Sequence, residues 1–150
     1  LLNMPTSLWG VNRPTDNNWV KLFNNEIDID EMVRMGESIL SWIKVRNARL
    51  VRSMAFESEY NGLRCVCANM AQGYSEFFDS LENINDYDFM CNFFMNKKNR
   101  WNLSFYTAKD GVDVSKIAAT FGGGGHVRAA GAYKLEKLPD FLVRGKFPVK

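Results

Sequence analysis

The sequence predicts an α+β domain: a mixed β-sheet packed with helices in the order β-β-α-β-β-α-β, preceded by a connecting helix. Three observations carry this expectation. Between Ile29 and Arg46 the apolar residues recur at helical spacing. From Ala48 onward they recur mostly at every second position, the period of a strand. Two shorter helical patterns then interrupt the strands. The chain has 150 residues, 46% hydrophobic and 24% charged, a globular balance sufficient for one domain carrying an extra segment. The division expected is a connector segment and helix over 1–46 and a domain over 47–150.

Residues 1–26, with two prolines, a glycine and many asparagines, read as loop. Trp9, Trp19, Leu22 and Phe23 within it call for burial against something. Ile29, Met32, Val33, Gly36, Ile39, Leu40 and Ile43 then form one helical stripe, with Asp28 and Glu31 spaced as a capping box. "ARLVRSMAF" and "GLRCVCANM" read as strands joined by the polar "ESEYN". "QGYSEFFDSLEN", Gln72 to Asn83, reads as a short helix burying Tyr74, Phe77, Phe78 and Leu81. "DYDFMCNFFMN" and "RWNLSFYTA" read as two more strands around Asn96-Lys97-Lys98-Asn99. In the second, Trp101, Leu103, Phe105 and Thr107 share one face; Asn102, Ser104, Tyr106 and Ala108 share the other. "GVDVSKIAATF" reads as a helix with Asp113 as N-cap, Val112 and Ile117 as its staple, and Gly122 as the C′ glycine. "VRAAGAYKLE" returns as a strand, and Phe141 to Lys150 follows as a basic tail.

No apolar run is long enough for a membrane span and no signal-peptide pattern opens the chain, so no membrane partner is expected. A chain starting at Leu1 reads as a fragment or a processed product. Cys65, Cys67 and Cys91 are odd in number and not spaced C-x-x-C. They read as buried free thiols of a cytoplasmic protein. Charge is uneven: from Lys97 onward 11 Lys/Arg face 4 Asp/Glu, whereas residues 1–96 hold 8 against 13. A basic C-terminal part suits an anionic ligand, though solvated surface charge would look the same.

The run "TFGGGGHVRAAGA", Thr120 to Ala132, strings four glycines together and ends them on the single histidine. It is no Walker loop, because the glycines follow a helix and no Lys-Ser/Thr comes after them. It is no dinucleotide fingerprint, which needs strand, glycines, helix in that order. One histidine without nearby carboxylates cannot supply a metal's ligands. A Ser-His-Asp arrangement stays open, with nothing marking a nucleophile. Two readings remain: a flexible helix-to-strand connector, or an anion site. In the second, Gly122, Gly123, Gly124 and Gly125 offer backbone N–H groups in a concavity. His126 adds a ring donor, and Arg128, two along in a strand and on the same side, adds a fork of donors suited to phosphate. Ala129, Ala130 and Gly131 keep the wall beside it low.

"GGGGHVRAAG" resembles the G-G-G-G-H-x-x-A-A-G signature of the DHH-associated C-terminal domain of DHH-superfamily phosphoesterases. "VDVSKIAATF" is similar to the helix that precedes that signature, and the element order extends the likeness to roughly residues 48–138. The resemblance implies a two-lobed enzyme. Its N-terminal lobe would carry a D-H-H run and hold a pair of divalent metals, usually manganese, that activate water for attack on a phosphodiester. The C-terminal domain would grip the substrate through the glycine loop, its histidine and a nearby arginine. This chain has no D-H-H run, so no metal is expected in it and binding without catalysis is what it should do alone. Many members carry S-x-R-S on the strand before the helix. Here the run is Ser104-Phe105-Tyr106-Thr107, so Tyr106 stands at the arginine position, as in the oligoribonuclease and cyclic-nucleotide phosphodiesterase branch. A phenol can stack on a base or donate one hydrogen bond, but cannot neutralise a phosphate.

The expectation is therefore a substrate-binding domain whose partners are a short single-stranded nucleic acid or nucleotide phosphate and the N-terminal DHH lobe of the same protein. A homodimer is left open. Gly122 to Gly125, His126 and Arg128 would hold the phosphate, with Ser104 and Tyr106 lining the pocket. The alternative is a non-catalytic nucleic-acid-binding module, like the related domain of alanyl-tRNA synthetases. A third reading, a structural or dimerisation domain, implies no anion affinity.

Overall fold

The computed structural model describes residues 20–21, 23–26, 28–71, 75–143 and 147–148. Its contacts divide the chain into two units, Leu1–Arg46 and Asn47–Lys150. Trp9, Trp19, Leu22 and Tyr74 lie outside the described residues.

In the first unit, residues 20, 21 and 23 are helical rather than loop. Phe23, expected to be buried, is 80% exposed. Helix α1, Ile29–Met54, begins as its cap predicts: the Asp28 carboxylate accepts from the N–H groups of Asp30 and Glu31 at 2.9 and 3.1 Å. It then runs eight residues beyond Arg46, through the segment read as the first strand. Asn47, Leu50, Val51 and Met54 continue the i, i+3, i+4, i+7 spacing, and that period outweighs the partial alternation in "ARLVRSMAF".

The second unit holds a seven-stranded sheet. Its strands are β1 Ala55–Tyr60, β2 Leu63–Asn69, β3 Phe89–Met95, β4 Trp101–Tyr106, β5 Gly124–His126, β6 Ala129–Leu135 and β7 Phe147–Pro148. In space they run β5-β6-β4-β3-β2-β1-β7. All pairs are antiparallel except β2 with β3. That one parallel pair is joined by 3₁₀ turns at Ser75–Ser80 and Ile84–Asp86, where a short helix was expected. The β1–β2 hairpin turns on Asn61-Gly62, both at positive φ (52° and 80°), as a tight two-residue loop requires. "ESEY" belongs to the strand. The C-terminal residues are not a plain tail: Asp140–Val143 is a helical turn, α3, and β7 pairs with Phe56 and Glu57 at the sheet's far edge.

Alternation gives each sheet face its own cluster. On one face Cys65, Cys67, Phe89, Cys91, Phe93, Leu103, Phe105 and Ala132 pack against Val114, Ile117 and Ala118 of helix α2, Val114–Thr120, and Leu142 of α3. On the other, Val66, Ala68 and Met90 pack under Val51, Phe77, Phe78, Leu81 and Tyr87. All three cysteines are free thiols at 0% exposure. Cys65 and Cys67 share a face as predicted, their Sγ atoms 3.6 Å apart. Their mutual contact first raises the Cys65 pKa, with burial second, while burial chiefly raises that of Cys67, so neither is a reactive thiolate. No described helix is long and apolar enough to cross a membrane.

Candidate functional site

The glycine run starts as a helix end. Asp113 caps α2 by accepting from Ser115 N–H at 3.0 Å. At the other end Gly122, at φ 73°, donates to Ala119 O, and Gly123 donates to Ala118 O at 2.9 Å. These are the two bonds of a Schellman motif. Two of the four N–H groups proposed for an anion are thus taken up by the helix's own carbonyls. Phe121, just before them, stacks on Phe105 with ring centroids 6.0 Å apart, which anchors the loop to the sheet.

The remaining glycines are neither connector nor loop. Gly124, Gly125 and His126 form β5 and pair with Gly131, Ala130 and Ala129. A glycine strand carries no side-chain alternation, so its sequence gives no period to read. Close approach explains most of the composition. A Cβ on Gly123 would lie 2.7 Å from Ala132 Cα, and one on Gly125 would lie 2.6 Å from Ala130 Cα. Gly124 differs. It lacks positive φ, and a Cβ there would meet nothing within 4 Å. Its own fold does not require glycine.

Val127 and Arg128 form the turn between β5 and β6, so Arg128 is not in a strand and does not share a strand face with His126. The turn is clamped at both residues. Thr107 N–H donates to Arg128 O at 3.1 Å, and Val114 N–H donates to Val127 O at 3.0 Å. Buried Thr107 also donates its hydroxyl to Asp88 O at 2.8 Å. The Arg128 guanidinium donates to Ala108 O at 3.0 Å and to the Asp110 carboxylate at 2.7 Å. The Arg128 and Asp110 side chains are 59% and 95% exposed. An ion pair this open to water holds by about 1 kcal/mol or less and yields easily to a competing anion.

Register brings four predicted residues to one sheet face. His126 lies beside Ala129, and Ala129 beside Tyr106; Gly124 lies beside Gly131, and Gly131 beside Ser104. The result is a shallow floor of Gly124, Gly131, Ala129 and Ser104, with His126 and Tyr106 along one side. Tyr133, two residues past Gly131, lays the tip of its ring over that glycine and buries it: its hydroxyl oxygen would be 2.7 Å from a Cβ on Gly131. Tyr133 is 63% exposed. It went unnoticed in the sequence, although its period-two relation to Ala129 and Gly131 places it on the same face. Among the described residues neither the His126 ring nor the Ser104 hydroxyl has a hydrogen-bond partner. In a two-residue hairpin the pair flanking the turn is hydrogen-bonded, so the Gly125 N–H points outward from this edge strand. Donors and a low wall, open to solvent, can receive a flat or anionic group. They offer no nucleophile–base pair.

Among the described residues no group of three or more His, Cys, Asp or Glu could hold a metal ion. The donor set present does not fit a divalent pair.

The DHHA1 domain family matches residues 68–144, just over half of the chain. That span includes every residue of the floor, His126 and Arg128. Among solved structures, a pGpG-specific phosphodiesterase from Vibrio cholerae is similar with a TM-score of 0.51 at 9% identity, over 69% of this chain and 37% of that one. An exopolyphosphatase-related protein from Bacteroides fragilis aligns at 19% identity over 89% of this chain and 42% of that one, with a TM-score of 0.47. A protein from Helicobacter pylori aligns at 20% identity over 81% and 32%, with a TM-score of 0.44. The chain thus spans well under half the length of each of these three structures. No curated protein matches it.

Proposed function

Because the chain belongs to the DHHA1 domain family, we propose that it is the substrate-binding C-terminal domain of a DHH-type phosphoesterase that hydrolyses phosphodiester bonds in short single-stranded oligonucleotides or related nucleotides. The observation that carries this reading is the floor of exposed Gly124 and Ala129 and half-buried Ser104, with His126 and Tyr106 beside it and Arg128 clamped in the turn at its end. Arg128 exchanges Asp110 for a phosphate oxygen. His126 and Ser104 donate to the same group, and the bare backbone at Gly124 lets it come close. Tyr106, partly buried against the Met90 cluster, offers the open part of its ring for stacking and leaves the neutralising charge to Arg128. An N-terminal DHH lobe of the same protein would hold the divalent metals, manganese by the family resemblance, since the donors among the described residues do not fit them. The buried free thiols suit a cytoplasmic location.

The test is a calorimetric titration of the dinucleotide pApA into the chain at fixed salt. Arg128→Ala removes a charge-assisted hydrogen bond of about 1.5–3 kcal/mol, so affinity falls roughly tenfold or more. Arg128→Lys restores part of it, keeping charge but not the fork. Wild-type binding that neither variant weakens would refute the site.

A further inference from the structure

Next to the floor the surface sinks into a cavity of about 300 Å³. Ile84, Met90 and Ala108 give it apolar walls, and Asp88, Lys109 and Asp110 stand among its polar lining. It meets the candidate site at two points. Met90 is the register neighbour of Tyr106, which continues the row His126, Ala129, Tyr106 by one strand. Asp110 lines the cavity and is also the partner of Arg128 at 2.7 Å.

We infer that this cavity takes the nucleobase of the nucleotide whose phosphate is held at Arg128, so that the ligand is recognised as a nucleotide and not as a bare phosphate chain. The inference rests on the phosphate site proposed above. The volume is at the lower end for small-molecule pockets, which suits one ring system. The lining alternates carboxylate acceptors, Asp88 and Asp110, with an ammonium donor, Lys109, that is tied to Asp88 at 2.9 Å. A heterocycle edge offers both donors and acceptors to such a rim, and its face suits the apolar walls. A second phosphate would meet two carboxylates and an apolar wall, and only one lysine, already paired. The backbone holds the arrangement: Asp88 accepts from the Arg64 N–H at 2.8 Å, and Thr107 fixes both Asp88 and Lys109 through their main chains.

Four probes separate the cavity from the phosphate site: adenosine, adenosine 5′-monophosphate, ribose 5-phosphate and tripolyphosphate, each titrated into the chain. Adenosine 5′-monophosphate should bind roughly tenfold or more tighter than ribose 5-phosphate, in line with the usual worth of one base contact. Ala108→Trp, a change at an exposed position, fills the cavity. It should abolish adenosine binding and bring the nucleotide down to the affinity of ribose 5-phosphate. Asn85→Trp, at a second exposed residue of the lining, should do the same, and ribose 5-phosphate binding should stay unchanged. Equal affinities for adenosine 5′-monophosphate and ribose 5-phosphate in the wild type would overturn the base assignment and leave the phosphate site standing. Tripolyphosphate binding that Ala108→Trp removes would overturn it in favour of a phosphate chain. Adenosine binding that Ala108→Trp removes, with no binding of ribose 5-phosphate, would support the cavity while refuting the phosphate site.

Discussion

The face of the sheet that carries the candidate site is built in two ways. Over β2 and β3 it is covered: Val66, Ala68 and Met90 lie under Val51, Phe77, Phe78, Leu81 and Tyr87, and Phe78 is at 0% exposure. Over β4, β6 and β5 the same face is largely bare: Ser104, Gly124 and Ala129 stand in place of large side chains, and only Gly131 is covered, by the tip of Tyr133. Both halves share one sheet and one register. The first half is filled as folding requires, because burying aromatic area is what stabilises a small domain. The second half buries little on its own face beyond Tyr106, which packs against the covered cluster, and is held mainly from behind, by Leu103, Phe105 and Ala132 in the opposite cluster. A surface that folding does not need to fill is free to be shaped for something else.

If the covered half supplies stability, breaking it gives the largest effect. Phe78→Ala should cost about 3–5 kcal/mol, read as a drop in the urea midpoint. Binding of pApA should hold wherever the variant is still folded. A next, smaller effect tests the seam between the halves. Gly123→Ala pushes a methyl into Gly131 and Ala132 and should destabilise by about 1–3 kcal/mol through overpacking. The same measurement on Ser104→Ala, in the bare half, should show a shift within about 0.5 kcal/mol.

Much of the element order was legible in the sequence, and the failures have physical reasons. Strands with strong alternation, such as Leu63–Asn69 and Trp101–Tyr106, match the expected elements, as does the Asp113 cap. The α1 extension to Met54 was missed because Leu50, Met54 and Phe56 also fit a period of two over so short a window. The turn at Asn61-Gly62 had its signal in plain view in the Asn-Gly pair. Strand β5 had none: glycine has no side chain to alternate, and pairing is set by close approach to Ala130 and Gly131 from 5–7 residues away. Spacing alone placed Arg128 in a strand; the hairpin turn and Asp110 decide its direction. The site residues Ser104, Tyr106 and His126 were named separately, but their adjacency depends on strand order, which no local pattern encodes.

A smaller effect concerns acid. Asp88 has its pKa lowered below the ordinary 3.8, first by the Lys109 ammonium bond and then by the Arg64 N–H, against a cost from burial. The stabilisation is therefore fully present above about pH 4 and fades as pH falls through the lowered folded value. Asp88→Asn should lower the urea midpoint at pH 7 and have a shrinking effect toward pH 2. A constant difference across that range would mean the carboxylate's charge contributes nothing.

The central claim is that the bare half exists for a ligand, and Gly124 tests it most directly because neither its backbone angle nor its surroundings require glycine. Gly124→Ala should leave the urea midpoint unchanged or slightly raised, since a compatible Gly→Ala change limits the unfolded chain by about 0.4–1 kcal/mol. The same protein, titrated with pApA beside the wild type at one salt concentration, should bind several-fold more weakly. Unchanged affinity together with unchanged stability would contradict the account, because the one glycine of the run Gly122 to Gly125 that the fold does not need would then not be needed by a ligand either.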